Sequence, residues 1–257
     1  MPTYETYRVK VLEKTFNILG LFDKRGKTLT VKEISEKLAY NKSSTLRLIR
    51  NLEEAAFLER VEGTQTYKLG FGIYCLGQLA ESYGHIRTAA KPFVEELCRK
   101  CGETVHLAVM HNGQALYIDK IESEKRALRI MSRVGSSLNC HCSGVGKVLL
   151  AALSDKQLNN VVEEWGLPKE TEHTITDRAR LDEELKKIRE AGYAIDDEEI
   201  EYGLKCVAAP IKDADGKTVA AVSVSGPKER MESDLENYIA KVKEASVLIT
   251  EKLKSVG

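Results

Sequence analysis

The chain has 257 residues, a length that fits one or two domains, and 42% of them are apolar against 30% charged, which is enough to bury a core. Its 39 basic residues balance 39 acidic ones, and no apolar run approaches the roughly 20 residues that cross a bilayer. The six cysteines lack the spacing of a disulfide framework, and the opening stretch lacks a signal pattern. Both observations favour a cytoplasmic protein with reduced thiols over a secreted, membrane or fibrous one.

The charges are unevenly distributed along the chain. Residues 1–70 contain 13 Lys and Arg against 9 Asp and Glu, a net charge of +4, whereas residues 71–257 carry a net charge of −4. A basic first part on an acidic remainder is expected when only the first part meets an anionic partner. Four charges are a small excess, so this pattern indicates nucleic acid only together with suitable elements.

Two helices open the chain. The first has an apolar stripe at helical spacing and is expected to end at Gly26. Its apolar positions are Val11, Phe16, Ile18, Leu19 and Phe22. Thr30 and Glu33 have the spacing of a capping box for a short second helix, on which Ile34 and Leu38 face inward.

A third, longer helix is predicted over Lys42–Glu53, after a turn at 40–42, with Asn41 or Ser43 as its cap. The residues that it is expected to bury are Leu46, Ile49 and Leu52. Two short strands, Leu58–Val61 and Thr66–Leu69, then surround a turn at 62–65. Helix, short helix, turn, longer helix and β-hairpin together predict a winged helix-turn-helix.

The second helix of a helix-turn-helix enters the major groove of DNA, which favours small polar side chains at its start and basic ones on its outer face. The third helix of this chain has both. The predicted DNA contacts are Lys42, Ser43, Ser44, Thr45, Arg47, Arg50 and Asn51 of this helix and Arg60 and Lys68 of the hairpin. Two alternatives stay open on these residues alone, because a winged domain can dock a protein and a basic helix face can simply be solvated.

The remainder of the chain has a different pattern. A linker helix over 73–87 is predicted between the winged domain, residues 1–72, and a third region, residues 88–257. Helices are expected over Ala89–Lys100, Gly144–Leu153, Asp155–Glu164, 180–192 and Glu232–Leu253, and strands at 104–113, 114–123, 127–135, 193–199, 204–213 and 218–226. Asn112-Gly113 and Asp215-Gly216 occupy hairpin positions. Strands in hairpin groups with helices between them indicate an α+β fold built on an antiparallel sheet with flanking helices.

Three segments of this region resemble the IclR family of bacterial transcriptional regulators: SGVGKVLLAAL (143–153), GYAIDDEEIEYGLKCVAAPIKDADG (192–216) and AAVSVSGP (220–227). The resemblance extends over nearly the whole chain, in the order winged helix, linker helix, effector domain. Residues at the family's signature spacing are Gly192, Asp196, Glu199, Cys206 and Asp213, whereas Lys212 replaces the usual aromatic residue or His. The resemblance implies a GAF-like domain that binds a small molecule, often an organic acid, and a homodimer or homotetramer that binds palindromic double-stranded DNA.

The resemblance also implies a set of effector-binding residues: the backbone groups of Gly144 and Val145, and the side chains of Asp196, Cys206, Ser223 and Ser225. The chemistry of these residues agrees, because free N–H groups at a helix start attract a carboxylate. Ser223 and Ser225 alternate on one strand, so their hydroxyls face the same side. Serines that merely let a helix pack closely are the alternative. The stretch GVGK (144–147) is not a phosphate loop, because the spacing GxxxxGK[ST] is absent.

Cysteines and histidines offer a second interpretation, a metal- or redox-sensing regulator with zinc as the possible ion. The candidate ligands are Cys140, His141, Cys142 and His106, together with Cys206. Buried free thiols that behave as small apolar side chains are the simpler interpretation, also for Cys98 and Cys101 on their helix. A nucleophilic Cys206 would need a base and an orienting group that the spacing does not nominate, so no enzyme is expected.

The sequence therefore predicts a cytoplasmic, ligand-responsive DNA-binding transcriptional regulator that requires no cofactor and has no membrane partner. In this interpretation the helix Lys42–Glu53 reads an operator half-site, and residues 88–257 sense a small-molecule effector.

Overall fold

The structure is a computed structural model that describes residues 9–23, 26–79, 83–123 and 132–256. The chain divides into two compact units, Met1–Ser82 and Tyr83–Gly257. Each unit has a hydrophobic core of its own.

Short helices and a small sheet make up the first unit. Its elements are α1 (Lys10–Gly20), β1 (Leu29–Thr30), α2 (Val31–Leu38), α3 (Lys42–Glu54), β2 (Leu58–Arg60), β3 (Thr66–Leu69) and α4 (Phe71–Leu79). Among the described residues the sheet has the order β1-β3-β2, with antiparallel pairs. A winged helix-turn-helix is confirmed.

Side-chain hydrogen bonds determine where α2 and α3 begin. The Thr30 hydroxyl accepts the backbone N–H of Glu33 at 3.2 Å, and the Glu33 carboxylate accepts the N–H of Thr30 at 2.7 Å. This is the reciprocal capping box that the sequence predicts. At the start of α3, Asn41 Oδ1 accepts the N–H of Ser43 at 2.9 Å, so Asn41 and not Ser43 is the cap. Both caps satisfy N–H groups that have no partner within the helix.

The apolar stripe of α1 is only partly covered. Within this helix Ile18 is buried, while Val11 and Phe16 are exposed, and the helix ends at Gly20 and not at Gly26. Periodicity predicts a helix correctly here, but it does not say which surface covers the stripe.

The inner face of α3 and the sheet also differ in detail from the sequence interpretation. Leu48 is buried beside Ile49 and Leu52, whereas Leu46 is only half-buried. The two-residue strand β1 is not predicted from the sequence, because its strand character comes from pairing with β3, in which Leu29 lies opposite Tyr67.

The second unit is an antiparallel sheet between helices. Its elements are α5 (Gly84–Cys101), β4 (Thr104–His111), β5 (Gln114–Ile121), β6 (Ser137–Leu138), α6 (Gly144–Ala151), α7 (Asp155–Trp165), α8 (Arg178–Ala191), β7 (Ala194–Asp197), β8 (Leu204–Lys212), β9 (Thr218–Pro227), α9 (Lys228–Ser233) and α10 (Leu235–Val256). Among the described residues the strand order is β6-β5-β4-β9-β8-β7, and a short 3₁₀ turn, Cys140–Cys142, precedes α6. The α+β prediction is confirmed.

The two faces of this sheet carry different side chains. One face buries branched residues against α5 and α10; they include Val105, Leu107, Val207, Ile211, Val222 and Val224. The opposite face carries alanines under α6 and α8, namely Ala108, Ala194, Ala208 and Ala221. Small side chains let a helix approach the sheet closely, which is what places the start of α6 over the strands.

Three segments of the second unit differ from the sequence interpretation. The strand predicted at 127–135 lies mostly outside the described residues; its described part, 132–135, is not a strand, and the paired segment is Ser137–Leu138. The closing helix predicted over Glu232–Leu253 is two helices, interrupted at Asp234. The predicted helix over Ala89–Lys100 already begins at Gly84.

The linker helix predicted over 73–87 includes residues 80–82, which lie outside the described part of the chain. On either side of them the structure has the end of α4 at Leu79 and the start of α5 at Gly84. None of the described helices is long and apolar enough to cross a membrane.

Candidate functional site

The outer side of α3 is polar and basic. Lys42, Ser43, Arg47, Arg50 and Asn51 are exposed, and Ser44 is half-buried with its hydroxyl donating to the Asn41 carbonyl at 3.0 Å. The cap at Asn41 and the inner residues of the helix hold this side toward solvent. A helix with small polar residues in its first turn and two arginines one turn apart has the composition that major-groove contacts require.

Thr45 does not lie on this outer side. Its side chain is fully buried, and its hydroxyl donates to the Asn41 carbonyl at 3.0 Å. The expectation that Thr45 faces outward is therefore wrong, because the 3.6-residue period of the helix turns it toward the same side as Leu48, Ile49 and Leu52.

The hairpin carries its two basic residues in different settings. Arg60 is exposed, and its Nε donates to the Thr64 carbonyl at 3.2 Å, which orients the guanidinium along the turn. Lys68 lies 3.2 Å from a carboxylate oxygen of Glu59 on the paired strand. Part of the positive charge at Lys68 is thus already balanced.

In the second unit, five polar side chains form a row across four adjacent strands on the face that carries the alanines. We call it the polar row: Asp196, Cys206, Ser225, Ser223 and His106. Asp196 lies opposite Cys206, Cys206 opposite Ser225, and Ser223 opposite His106. Directly opposed residues of antiparallel strands project to the same face. All five side chains are buried.

The start of α6 lies directly over the polar row. A Cβ atom on Gly144 would be 3.1 Å from the Cys206 sulfur and 3.3 Å from the Ala208 side chain. The Ser143 hydroxyl caps the helix by accepting the N–H of Gly146 at 3.2 Å. The N–H groups of Gly144 and Val145 have no partner within the helix, because they belong to its first turn. The structure thus brings together all six residues that the sequence named for effector binding.

Burial determines the electrostatics of the polar row. It raises the pKa of Asp196 to about 7, assisted by the nearby Glu199 carboxylate, although Asp196 Oδ1 accepts the N–H of Glu199 at 2.8 Å. Burial raises the pKa of the Cys206 thiol to about 12, against a smaller opposite effect of the two serine hydroxyls. Burial, assisted by Lys120, lowers the pKa of His106 to about 3. At neutral pH Cys206 and His106 are therefore uncharged.

Sequence reasoning did not single out Lys147, which lies on α6 one turn after Gly144 and is only 1% exposed. Its ammonium donates to the Ile195 carbonyl at 2.6 Å and pairs with the buried Glu199 and, at 3.5 Å, with Glu184. This ion pair ties α6 to the turn that follows β7. A lysine inside the otherwise small and apolar run SGVGKVLLA is the signal that indicates it.

Comparison with known proteins identifies the family. A family described as bacterial transcriptional regulator IclR C-terminal matches residues 79–251, and the IclR helix-turn-helix domain matches residues 11–62. The transcriptional regulator XynR of Escherichia coli K12 is 30% identical over 246 residues, 95% of this chain and 97% of that protein. The crystal structure of Thermotoga maritima IclR has a TM-score of 0.80 at 34% identity, covering 96% of this chain and 99% of that one.

The chain belongs to the IclR family. It is a DNA-binding transcriptional regulator with a helix-turn-helix domain and a C-terminal effector-binding domain, and not an enzyme. An IclR homologue from Microbacterium hydrocarbonoxydans, solved in complex with 4-hydroxybenzoate, shares the fold, with a TM-score of 0.84 at 24% identity over 95% of this chain and 98% of that one.

The cysteines and histidines of this IclR-family regulator are not arranged as a zinc site. Within the described ranges, no three side chains of His, Cys, Asp or Glu are grouped to hold a metal ion. His141 Nε2 lies 2.9 Å from the Pro168 carbonyl, while the thiols of Cys140 and Cys142 face the carbonyls of Gly113 and Asn139 at 3.6 Å. His106, the fourth zinc candidate, lies in the polar row instead.

The cysteines of α5 are also buried thiols. Cys98 Sγ donates to the Glu103 carbonyl at 3.2 Å, and burial raises the pKa of Cys101 to about 11. Both observations fit thiols that act as small buried side chains.

Proposed function

We propose that this IclR-family regulator binds a palindromic operator as a homodimer or homotetramer, binds a small organic acid at the polar row, and acts in the cytoplasm, where its DNA lies. The observation that carries the proposal is the position of the α6 start over Asp196, Cys206, Ser223 and Ser225. This arrangement joins free backbone N–H groups to neutral donors in a buried setting, and such groups bind anions.

The first unit supports operator binding. Ser43 and Ser44 are small enough to let α3 approach base edges, Arg47 and Arg50 can pair with guanine or phosphate, and Arg60 lies on the hairpin, beside the expected DNA backbone. Thr45 is left out of this contact set, because its side chain is buried.

Exposed apolar side chains support an oligomer. On α1 and α4 they are Val11, Leu12, Phe16, Phe71, Tyr74 and Leu76, each more than half exposed. Apolar side chains in such number on two short helices of one small unit usually mark an interface. A regulator with two winged units can match a palindrome, because its two-fold symmetry presents two recognition helices to two half-sites.

The chemistry of the polar row supports an organic acid over a metal ion or an oxidant. Thiols whose pKa lies near 12 carry almost no thiolate at neutral pH, so Cys142 and Cys206 are slow to oxidise. Within the described residues, no three His, Cys, Asp or Glu side chains are grouped to hold a metal ion. The uncharged donors of the row suit a carboxylate with a small polar substituent.

Effector binding can control transcription only through a difference in affinity between two arrangements of the regulator. We propose that the effector favours one spacing of the paired winged units, so that their match to two half-sites changes. A ligand that bound both arrangements equally would change nothing.

Two variants separate the two sites. The wild-type protein selects an operator from a random duplex library, and thermal melts identify an effector among glyoxylate, pyruvate, longer keto acids, aromatic acids and sugar acids. An acid at about 100 times its Kd adds roughly 2.7 kcal/mol to the folded state. Arg47→Ala is expected to cost about 1–3 kcal/mol of operator binding while the acid-induced melting shift persists.

The double variant Ser223→Ala/Ser225→Ala should do the reverse. It should weaken binding of the acid and leave the operator affinity measured without acid unchanged. Lys217→Ala and Ser255→Ala, two exposed positions of the second unit, are the matched controls for loss of a charge and of hydroxyls. Loss of both functions in Arg47→Ala would show a structural role for that residue. An unchanged acid response in the serine variant would remove the hydroxyls from the site.

A further inference from the structure

The polar row is longer than a small acid. Strands in a sheet are about 4.8 Å apart, so the two spacings from Cys206 on β8 to His106 on β4 span roughly 10 Å. With carbon–carbon bonds of about 1.5 Å, an acid of two or three carbons is only roughly 5 Å long. A carboxylate held by the α6 start, directly over Cys206, therefore leaves the His106 end of the row for a different part of the ligand.

His106 presents one well-satisfied and one poorly satisfied ring nitrogen. Its Nε2 lies 2.7 Å from the Ser132 hydroxyl, whereas Nδ1 has Ser225 Oγ at 3.4 Å, beyond the usual hydrogen-bond distance. The ring is 1% exposed. A buried polar atom without a close partner costs free energy. A ligand group that hydrogen-bonds to Nδ1 in place of the long contact to Ser225 would therefore be favoured.

The surroundings of His106 determine what kind of group it accepts. Its ring lies against Tyr117, with centroids 4.6 Å apart and planes tilted by 30°. The ammonium of Lys120, the residue opposite His106 on β5, donates to the Ser132 carbonyl at 2.9 Å and pairs with Glu122. Burial keeps the imidazole uncharged at neutral pH. A neutral imidazole beside an aromatic ring exchanges a hydrogen bond with a hydroxyl, carbonyl or amide and gives a second carboxylate no charge to pair with.

We propose that His106 contacts the effector and selects a bifunctional acid, with its carboxylate at the α6 start and an uncharged hydrogen-bonding group at the far end. This inference rests on the proposed acid site and specifies the class of effector. Ser132 holds the ring in place through Nε2, while Nδ1 meets the ligand.

The test compares three pairs of acids that differ by one hydroxyl: glycolate with acetate, 6-hydroxyhexanoate with hexanoate, and 4-hydroxybenzoate with benzoate. Dissociation constants are measured by calorimetry on the full-length protein. For at least one of the longer pairs we expect the hydroxylated acid to bind roughly three- to tenfold more tightly, the effect of one neutral hydrogen bond. Any preference within the glycolate pair should be the same in His106→Phe as in wild type, because its hydroxyl cannot reach His106.

His106→Phe keeps a flat ring but has no hydrogen-bonding atom, so the ratio of the two Kd values within each longer pair should fall to about one. His106→Gln can still hydrogen-bond and should keep part of the preference. A preference that survives in His106→Phe, or that the wild type lacks for both longer pairs, overturns the inference and leaves the acid site intact. Absence of binding by all six acids overturns the acid site itself, and the inference with it.

A second readout follows the ring of the wild-type protein, and it needs a variant only to assign the signals. In protein labelled with 15N-histidine, the His106 ring signals are assigned by their loss in His106→Gln. The hydroxylated acid should shift these signals more than its partner acid does. Equal shifts with both members of each longer pair would show that His106 does not contact the distal group.

Discussion

Asp196→Asn tests the charge state of the proposed effector site. Asp196 is 2% exposed, and burial, with Glu199 nearby, raises its pKa to about 7 from an ordinary 3.8. Asparagine keeps the size of the side chain and the oxygen that accepts the N–H of Glu199, but it cannot ionise. The pH dependence of the difference between the two proteins therefore isolates the ionisation of Asp196.

The sign follows from proton binding. Between pH 3.8 and about 7 the folded protein keeps a proton that the unfolded chain has released, so stability falls by about 1.4 kcal/mol for each unit that the pH rises. Above the folded pKa the cost stays constant at roughly 4 kcal/mol. The Asn variant lacks this cost, so its stability relative to wild type should rise by roughly 2 kcal/mol from pH 5 to 7 and level off near pH 8.

Wild type alone would not show this trend clearly. Burial lowers the pKa of His106 and of His141, so both imidazoles make stability rise with pH and oppose the effect of Asp196. They contribute equally to wild type and variant, and the difference removes them. Urea unfolding followed by the fluorescence of Trp165, the one tryptophan in the chain, reports on the second unit, where the indole N–H donates to the Asn112 carbonyl at 3.0 Å.

A stability difference that stays constant from pH 5 to 8, or that falls, would refute this reasoning and show that Asp196 is ionised in the folded protein throughout. The exposed Asp215 in the turn after β8 provides the control. Asp215→Asn is a surface substitution and should change stability by less than about 0.5 kcal/mol.

Three further outcomes follow from the same contacts. Above pH 7 the apparent Kd for an anionic effector should increase about tenfold per pH unit as Asp196 ionises. Calorimetry on Asp196→Asn should show no such trend. A pH-independent Kd in wild type would place Asp196 away from the bound carboxylate. Lys147→Met leaves Glu199 buried without its cation and should lower the free energy of unfolding in urea by about 3–5 kcal/mol. Adding Glu199→Gln should recover part of this loss. A loss below about 1 kcal/mol would contradict a buried ion pair. Gly113 has φ +76°, and a Cβ at this position would lie 2.6 Å from the Trp165 indole nitrogen. Gly113→Ala should therefore destabilise the folded protein by at least about 1–2 kcal/mol and change the tryptophan emission. An unchanged spectrum would count against that contact.

Local interactions made much of this fold predictable from the sequence. The capping box at Thr30 and Glu33 and the cap at Asn41 place α2 and α3, because a side chain and the N–H groups that it satisfies are only two or three residues apart. Asn112 and Gly113 both have positive φ, as the hairpin turn between β4 and β5 requires. The family and the order of its domains were also readable, because their motifs are short and continuous in the chain.

Other features depended on packing between segments that are distant in the sequence. Thr45 and Phe16 each fit the helical pattern, but Thr45 is buried and Phe16 is exposed, because burial depends on what packs against a helix and not on the helix itself. The exposure of part of the apolar stripe of α1 and the presence of strand β1 were not predicted for the same reason, because both depend on contacts with distant segments.

The proposed effector site shows this division most clearly. The sequence by itself determined that Cys206, Ser223 and Ser225 lie on strands and that α6 begins at Gly144, since alternation and helix starts are local properties. Only the pairing of β4 with β9 placed His106 beside Ser225, which lies 119 residues further along the chain, and removed it from the zinc candidates. Sheet register and burial are non-local, and they also set the ionisation of Asp196 and the pairing of Lys147. The sequence therefore names six residues of the proposed site, and the tertiary structure adds His106 and decides the neighbours and the charge of each residue.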